Sequence, residues 1–373
     1  MKRMIPMLLA LALLLCACGG KPAETTAPTN DDPTPQTSAG VVTDPTDSTD
    51  TPATDETTVP ATDPEPAARN PLNGAALEDV WTGRAMAVVI NNHHEAMPQY
   101  GVSQADILYE FETEGGVTRR LGVFSDVTKV ATVGPIRSAR SYFLNVAESY
   151  DAPLAHCGGS EHALAAKYDI NGNTIKNWEH VDEMYNGSYF FRDTDRQKQG
   201  YAFEHTLFTT GEKLGKALAA RNYNMVIAEG VDYGLQFAET PALDGEKAEQ
   251  INIKFLGDKT TTATFNKETG RYEIAQYGEV GVDANNGEKL ASRNVLVIYA
   301  QQSKKGIHSF YDLIGTGEGL FACDGKIAPI VWSRDSVEAP FAYTLKDGTP
   351  ITLGVGNSYV AIVSEKSPAT YGG

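Results

Sequence analysis

Six apolar residues in a row, Ala85-Met86-Ala87-Val88-Val89-Ile90, stop abruptly at Asn91-Asn92-His93-His94. A run this short and unbroken reads as a buried strand with a polar loop at its C-terminal end, which belongs in an α/β layer. Residues 105–112 and 118–124 follow as two β-rich runs around Gly115-Gly116, a hairpin pattern. Alternation puts Glu110 and Glu112 on one face with Arg119 opposite. Cross-strand charge pairs of this kind are usually structural, worth roughly 0.2–1 kcal/mol. The alternative is a carboxylate pair working as acid and base. Residues 211–221 read as an amphipathic helix capped by Thr209 or Thr210. From about residue 242 the pattern turns to short alternating runs, with hairpins expected around residues 266–270 and at Asp324-Gly325. The expected fold class is α+β: an N-terminal α/β lobe with a mixed sheet, residues 71–241, and a C-terminal, mostly antiparallel β lobe, residues 242–373.

Ahead of this body, Lys2 and Arg3 precede an apolar stretch that ends in Leu15-Cys16-Ala17-Cys18-Gly19. That is a lipoprotein leader over residues 1–18, in which Cys18 follows a small residue as a lipid acceptor should and Cys16 does not. Lipid on Cys18 would hold the protein to the outer face of a membrane without crossing it. Residues 19–70 carry ten acidic and two basic side chains among Thr, Pro, Ala and Ser, and read as a disordered tether. The whole chain is at −17, which excludes nucleic acid as a natural partner. Past the leader two thiols are left, Cys157 and Cys323, which could pair in an extracytoplasmic setting or stay as buried thiols.

The densest polar pattern is Gly134-Pro135-Ile136-Arg137-Ser138-Ala139-Arg140-Ser141, read as a loop feeding a helix that runs to about Tyr150. Arg137 and Arg140 would then share a face near the helix start, where the dipole disfavours cations, and an anion held with Ser138 and Arg119 would resolve the conflict. The alternative is internal pairing with Glu110, Glu112 or Glu114. His156-Cys157-Gly158-Gly159-Ser160 is a strand end, a glycine turn and a helix start, a layout that cradles anions on backbone amides or simply turns tightly. His93, Asp106, Glu112 and His156 are the acid–base candidates, with Ser138 or Ser160 as nucleophile. No zincin spacing or nucleotide loop occurs, so neither a metal nor a cofactor is expected.

Taken together, Asn91-Asn92-His93, residues 104–110, Glu114-Gly115-Gly116-Val117-Thr118-Arg119, residues 134–140, His156-Cys157-Gly158-Gly159-Ser160, Gly315-Thr316-Gly317-Glu318-Gly319, Asp324-Gly325-Lys326 and Trp332 resemble the DUF3048 family, the YerB-like lipoproteins of Gram-positive bacteria. The resemblance spans residues 71–363. It implies a two-part extracytoplasmic body on a lipid anchor and no defined reaction. Cys157 stands where a small residue such as Ala is expected in relatives, which speaks against a nucleophile there and against a disulfide. The function expected is therefore non-enzymatic: a binding or scaffold protein of the cell envelope that meets a wall glycopolymer, a wall peptide or an envelope protein through an anionic group. A wall-acting hydrolase or transferase is the first alternative, and a solute-binding lipoprotein the second.

Overall fold

The computed structural model describes residues 68–165, 178–229, 231–255 and 259–373. Leader, Cys18 and tether, residues 1–67, lie outside the described residues. Among the described residues no helix is long and apolar enough to cross a membrane.

The principal strands of the N-terminal half are β1 (Met86–Asn91), β2 (Ile107–Glu112), β3 (Thr118–Phe124), β4 (Leu154–His156) and β5 (His180–Asp182), with helix α1 (Ser141–Glu148) before β4 and α2 (Glu161–Ala165) after it. Helix α3 (Gly211–Ala220) follows, capped by Thr210, whose hydroxyl accepts from the Lys213 amide at 3.1 Å. Then come β6 (Gln250–Lys254), β7 (Thr260–Asn266), β8 (Arg271–Gln276), β9 (Asn294–Ala300), β10 (Gly315–Cys323), β11 (Lys326–Arg334), β12 (Ala342–Leu345), β13 (Ser358–Ser364) and β14 (Thr370–Gly372). The architecture is α+β, as expected.

One mixed sheet forms the middle layer, in the order β11-β10-β9-β13-β2-β3-β1-β4-β5. It crosses the expected boundary at residue 241, because β13 pairs in parallel with β9 on one side and with β2 on the other. A second, antiparallel sheet runs β8-β7-β6-β14. The buried run of β1 explains the layering. Ala87 and Val89 point to one core with Tyr142, Phe143 and Val146 of α1, while Met86, Val88 and Ile90 point to the other with Leu214 and Leu218 of α3 and Ile251, Ala263 and Ile274 of the second sheet. Each fully buried aliphatic or aromatic side chain contributes about 1.5–3 kcal/mol, so both faces must be covered for β1 to exist.

Between the two sheets lies a buried ionic cluster. The Glu110 carboxylate, fully buried, accepts from Lys259 Nζ at 2.9 Å, Thr118 Oγ1 at 2.7 Å, Thr261 Oγ1 at 3.1 Å and the Tyr359 hydroxyl at 2.9 Å, with Arg120 Nε 3.4 Å away. Burial alone would raise its pKa, but Lys259 and Arg120 outweigh burial and hold the carboxyl at about 2. The β2–β3 register sets this partnership, with Glu110 opposite Arg120 and Phe111 opposite Arg119. The expected placement of Arg119 opposite the two glutamates is thereby corrected: Arg119 is on the α1 face and Arg120 is the partner of Glu110.

One further expectation changes. The helix does not begin inside the Arg-Ser-Ala-Arg motif. Residues 134–140 run extended, Ile136 bridges Ile90, and Arg140 is the residue before α1, with φ −130° and ψ 155°. Both arginines thus precede the helix and share no helical face. Cys157 and Cys323 are free. Cys157 follows β4 and Cys323 ends β10, two strands six spacings apart in the sheet order, or roughly 29 Å at 4.8 Å per strand, far beyond disulfide reach.

Candidate functional site

In the main sheet β1, β2, β4, β5, β9 and β13 run in one direction, since β1 and β2 both oppose β3 and the rest pair in parallel with them. Their C-terminal ends define one edge, the place where open sheets of co-directed strands gather ligand-binding groups. Asn91 and His93, Glu112 and Glu114, His156 and Cys157, and Asp182 all arrive there, and Arg119 opens β3 at the same edge. The 134–140 segment is tied across it, with Arg137 N–H donating to Val89 O at 3.0 Å and Ala139 N–H to Gly158 O at 3.0 Å.

The first polar group centres on Glu114. Arg140 holds it with a two-pronged fork, Nε and Nη2 each 2.6 Å from a carboxylate oxygen. His308 Nδ1 is 2.7 Å from the same carboxylate, and Arg119 Nη2 is 3.7 Å away while its Nη1 donates to the Ser138 carbonyl at 2.9 Å. Burial would raise Glu114, but hydrogen bonds from Arg140 and His308 and the two arginine charges bring it to about 2. Arg140 is therefore already occupied by a carboxylate of this chain. Burial and the neighbouring Arg140 and Arg137 cations pull Arg119 below the usual arginine range, a sign of how much positive charge is crowded here.

Arg137 differs. Its side chain is 30 % exposed and makes no hydrogen bond among the described residues; its ion-pair partner is Glu204, at 3.8 Å and itself 47 % exposed. Beside it stand His93, His205 and Glu95, with the two imidazole rings stacked at 5.3 Å. Burial and the neighbouring cations push His93 and His205 below the usual histidine range, more than offsetting the nearby carboxylates.

The glycine turn is closed to anions. The Gly158 amide donates to Asp182 Oδ1 at 2.7 Å, and Ser160 Oγ accepts from Ala163 N at 3.1 Å as the cap of α2. Gly159 is held in a bridge to Ala139. His156 is buried, its Nδ1 2.8 Å from Gly158 O and its Nε2 3.0 Å from His180 Nδ1. Burial and a contact with Glu183 Oε2 at 3.2 Å push the Cys157 thiol up to about 12, the wrong direction for a nucleophile. Glu112 faces Lys304 at 3.6 Å. Asp106 lies at the opposite edge of the sheet, before β2, where its carboxylate accepts from Ser125 N at 2.6 Å and from Asn73. It joins none of the other candidates.

The edge thus brings together Arg119, Arg137, Ser138, Arg140, His93, Glu112 and His156 from the expected set, and adds Glu95, Glu204, His205 and His308. His205 lies more than a hundred residues from His93, and no local spacing could link them. A cleft of about 680 Å3 opens at the other end of β1, around Trp81, Arg84 and Lys129, and none of the expected residues lines it.

A crystal structure of YerB protein from Bacillus subtilis has the same fold, with a TM-score of 0.69 at 25 % identity, over 82 % of this chain and 99 % of that one. A Bacillus subtilis (strain 168) protein named as a lipoprotein, YerB, is 27 % identical over 310 residues, 80 % of this chain and 87 % of that protein. Two sequence families match in order, the N-terminal domain described as a protein of unknown function (DUF3048) over residues 72–224 and the DUF3048 C-terminal domain over residues 251–360. With both halves matched in sequence and the fold shared, the chain belongs to the DUF3048 family.

Proposed function

We propose that this protein is a lipid-anchored binding protein of the bacterial envelope that recognises an anionic group, carboxylate or phosphate, through Arg137. One observation carries the reading: three arginines converge at the strand ends, two are committed to Glu114 or to backbone carbonyl groups, and Arg137 is the partly exposed one of the three, with a loose partner. A guanidinium with free donors and a weakly held counter-ion is a fork prepared for exchange, since an incoming bidentate anion makes shorter, charge-assisted bonds than Glu204 does at 3.8 Å. The anchor rests on Cys18 in its lipobox and on the lipoprotein name of the Bacillus subtilis relative. Wall peptides and anionic glycopolymers carry the matching groups. A sheet shared by both halves argues against two lobes closing on a solute.

The test is a thermal-shift series on the full-length protein in detergent with inorganic phosphate, glycerol phosphate and wall-peptide carboxylates, beside Arg137→Ala. A ligand at about a hundred times its Kd stabilises by about 2.7 kcal/mol. The shift should vanish in Arg137→Ala while that variant melts like the parent; a shift that survives the substitution sinks the reading.

A further inference from the structure

The histidine pair beside Arg137 carries an inference that does not depend on the anion reading. His93 caps the turn His94–Ala96, in which Glu95 sits, and His205 ends a separate turn, Phe203–His205. Glu95 Oε2 is 3.8 Å from His93 Nδ1 and 3.6 Å from His205 Nε2, and one donor atom from each of the three residues falls within 4.8 Å of the others. We propose that His93, Glu95 and His205 form a binding site for a divalent transition-metal ion, Zn2+ above all, with three protein ligands and the remaining coordination position open to solvent.

The donor set argues for the metal class. Two imidazoles and one carboxylate suit zinc and its neighbours, whereas calcium and magnesium select oxygen ligands. Tetrahedral bonds of about 2.0–2.1 Å place ligand atoms roughly 3.3 Å apart. To reach this, the contacts at 3.6 and 3.8 Å shorten by movement of the exposed Glu95 side chain, and His93 Nδ1 releases the Glu95 N–H that it accepts at 3.2 Å. There is also a way in: Glu95 lines a cleft of about 500 Å3 with His94, Met97 and residues 199–202.

The outer shell fixes what binding must change. Asn91 Nδ2 is 2.9 Å from His205 Nδ1, and Asn91 Oδ1 accepts from His93 N at 3.1 Å. As an acceptor at Nδ1, neutral His205 carries its proton on Nε2. For Nε2 to ligate, that proton moves to Nδ1 and the Asn91 amide turns to present its oxygen, giving up the bond to His93 N. The second histidine cluster, His156, His180 and Asp182, offers no such opening. Its imidazoles bond to each other at 3.0 Å, Trp178 stacks on His180 at 4.1 Å, and Asp182 Oδ1 already accepts from Gly158 and Met184 amides.

The experiment is a Zn2+ titration of the full-length, chelator-stripped protein in competition with a chromophoric chelator, for the parent, Glu95→Gln, His205→Gln and His180→Gln. One Zn2+ per chain is expected in the parent and in His180→Gln. Loss of a direct ligand should weaken affinity by more than the roughly 10–100-fold that outer-shell changes cost. Glu95→Gln guards against misfolding, because Glu95 is 61 % exposed and its metal-free melting temperature should match the parent's. The proposal is overturned if the parent takes up no stoichiometric Zn2+, if Glu95→Gln and His205→Gln bind as the parent does, or if His180→Gln is the variant that loses the ion.

Discussion

Glu110 and Glu114 stand four residues apart, each between two cations, and each carboxyl is held at about 2, yet they do opposite things. Glu110 is sealed between the two sheets, and its partners come from β3, β13 and the chain around β7. Glu114 is at the open edge, 15 % exposed, and organises the arginines around Arg137. The same pairing chemistry serves as a rivet in one place and as a preset charge field in the other. What separates the two is access to water: inside, a lost partner strands charges, while at the edge solvent or a ligand can replace it.

The contrast breaks most sharply at Glu110. Glu110→Ala leaves Arg120 and Lys259 buried without their carboxylate and should cost about 3–5 kcal/mol in urea unfolding. A loss under about 1 kcal/mol would show that the cluster is no rivet. Acid tests the same point without mutation. A carboxyl held at about 2 when folded and near 4.5 when unfolded contributes stability that is complete above about pH 4.5 and drains away as pH falls towards 2, roughly 3 kcal/mol for Glu110. Stability measured across this window should fall in the parent and fall less in Glu110→Gln. Next in size, Arg140→Ala removes a two-pronged bond at the partly exposed edge, about 2 kcal/mol by the shift in urea midpoint. An effect as large as that at Glu110 would erase the distinction between interior and edge. Smallest of all, Arg137→Ala should change stability by less than about 1 kcal/mol, since its ion pair is long and wet. A large loss there would mean that Arg137 too is structural.

Local chemistry made much of the fold legible. Asp324-Gly325 turns between β10 and β11 with φ of 52° and 75°, the pair of positive values a two-residue hairpin demands. The Gly115-Gly116 hairpin, the turn at residues 266–270 and the Thr210 cap are also as the sequence indicated. What failed was long-range. Nothing near residue 358 announces that its strand inserts beside β2, because an apolar run specifies burial and not its neighbour. At the site, the types of residue were visible and their partners were not. For Arg140 the sequence offered a ligand fork or internal pairing with Glu110, Glu112 or Glu114, and could not choose because Glu114 comes from a different loop, while the register that trades Arg119 for Arg120 turns on a single residue of pairing.

The insertion of β13 between β9 and β2 also sets a schedule. The ribosome makes the middle of the sheet nearly last, so β2 and β9 each keep an unpaired edge until residues 358–364 have emerged. Non-local pairing of this kind slows folding and keeps apolar strands exposed meanwhile. A version ending at residue 357 should accordingly show no cooperative melt and be digested by protease throughout, whereas independent folding of its first half would refute the schedule.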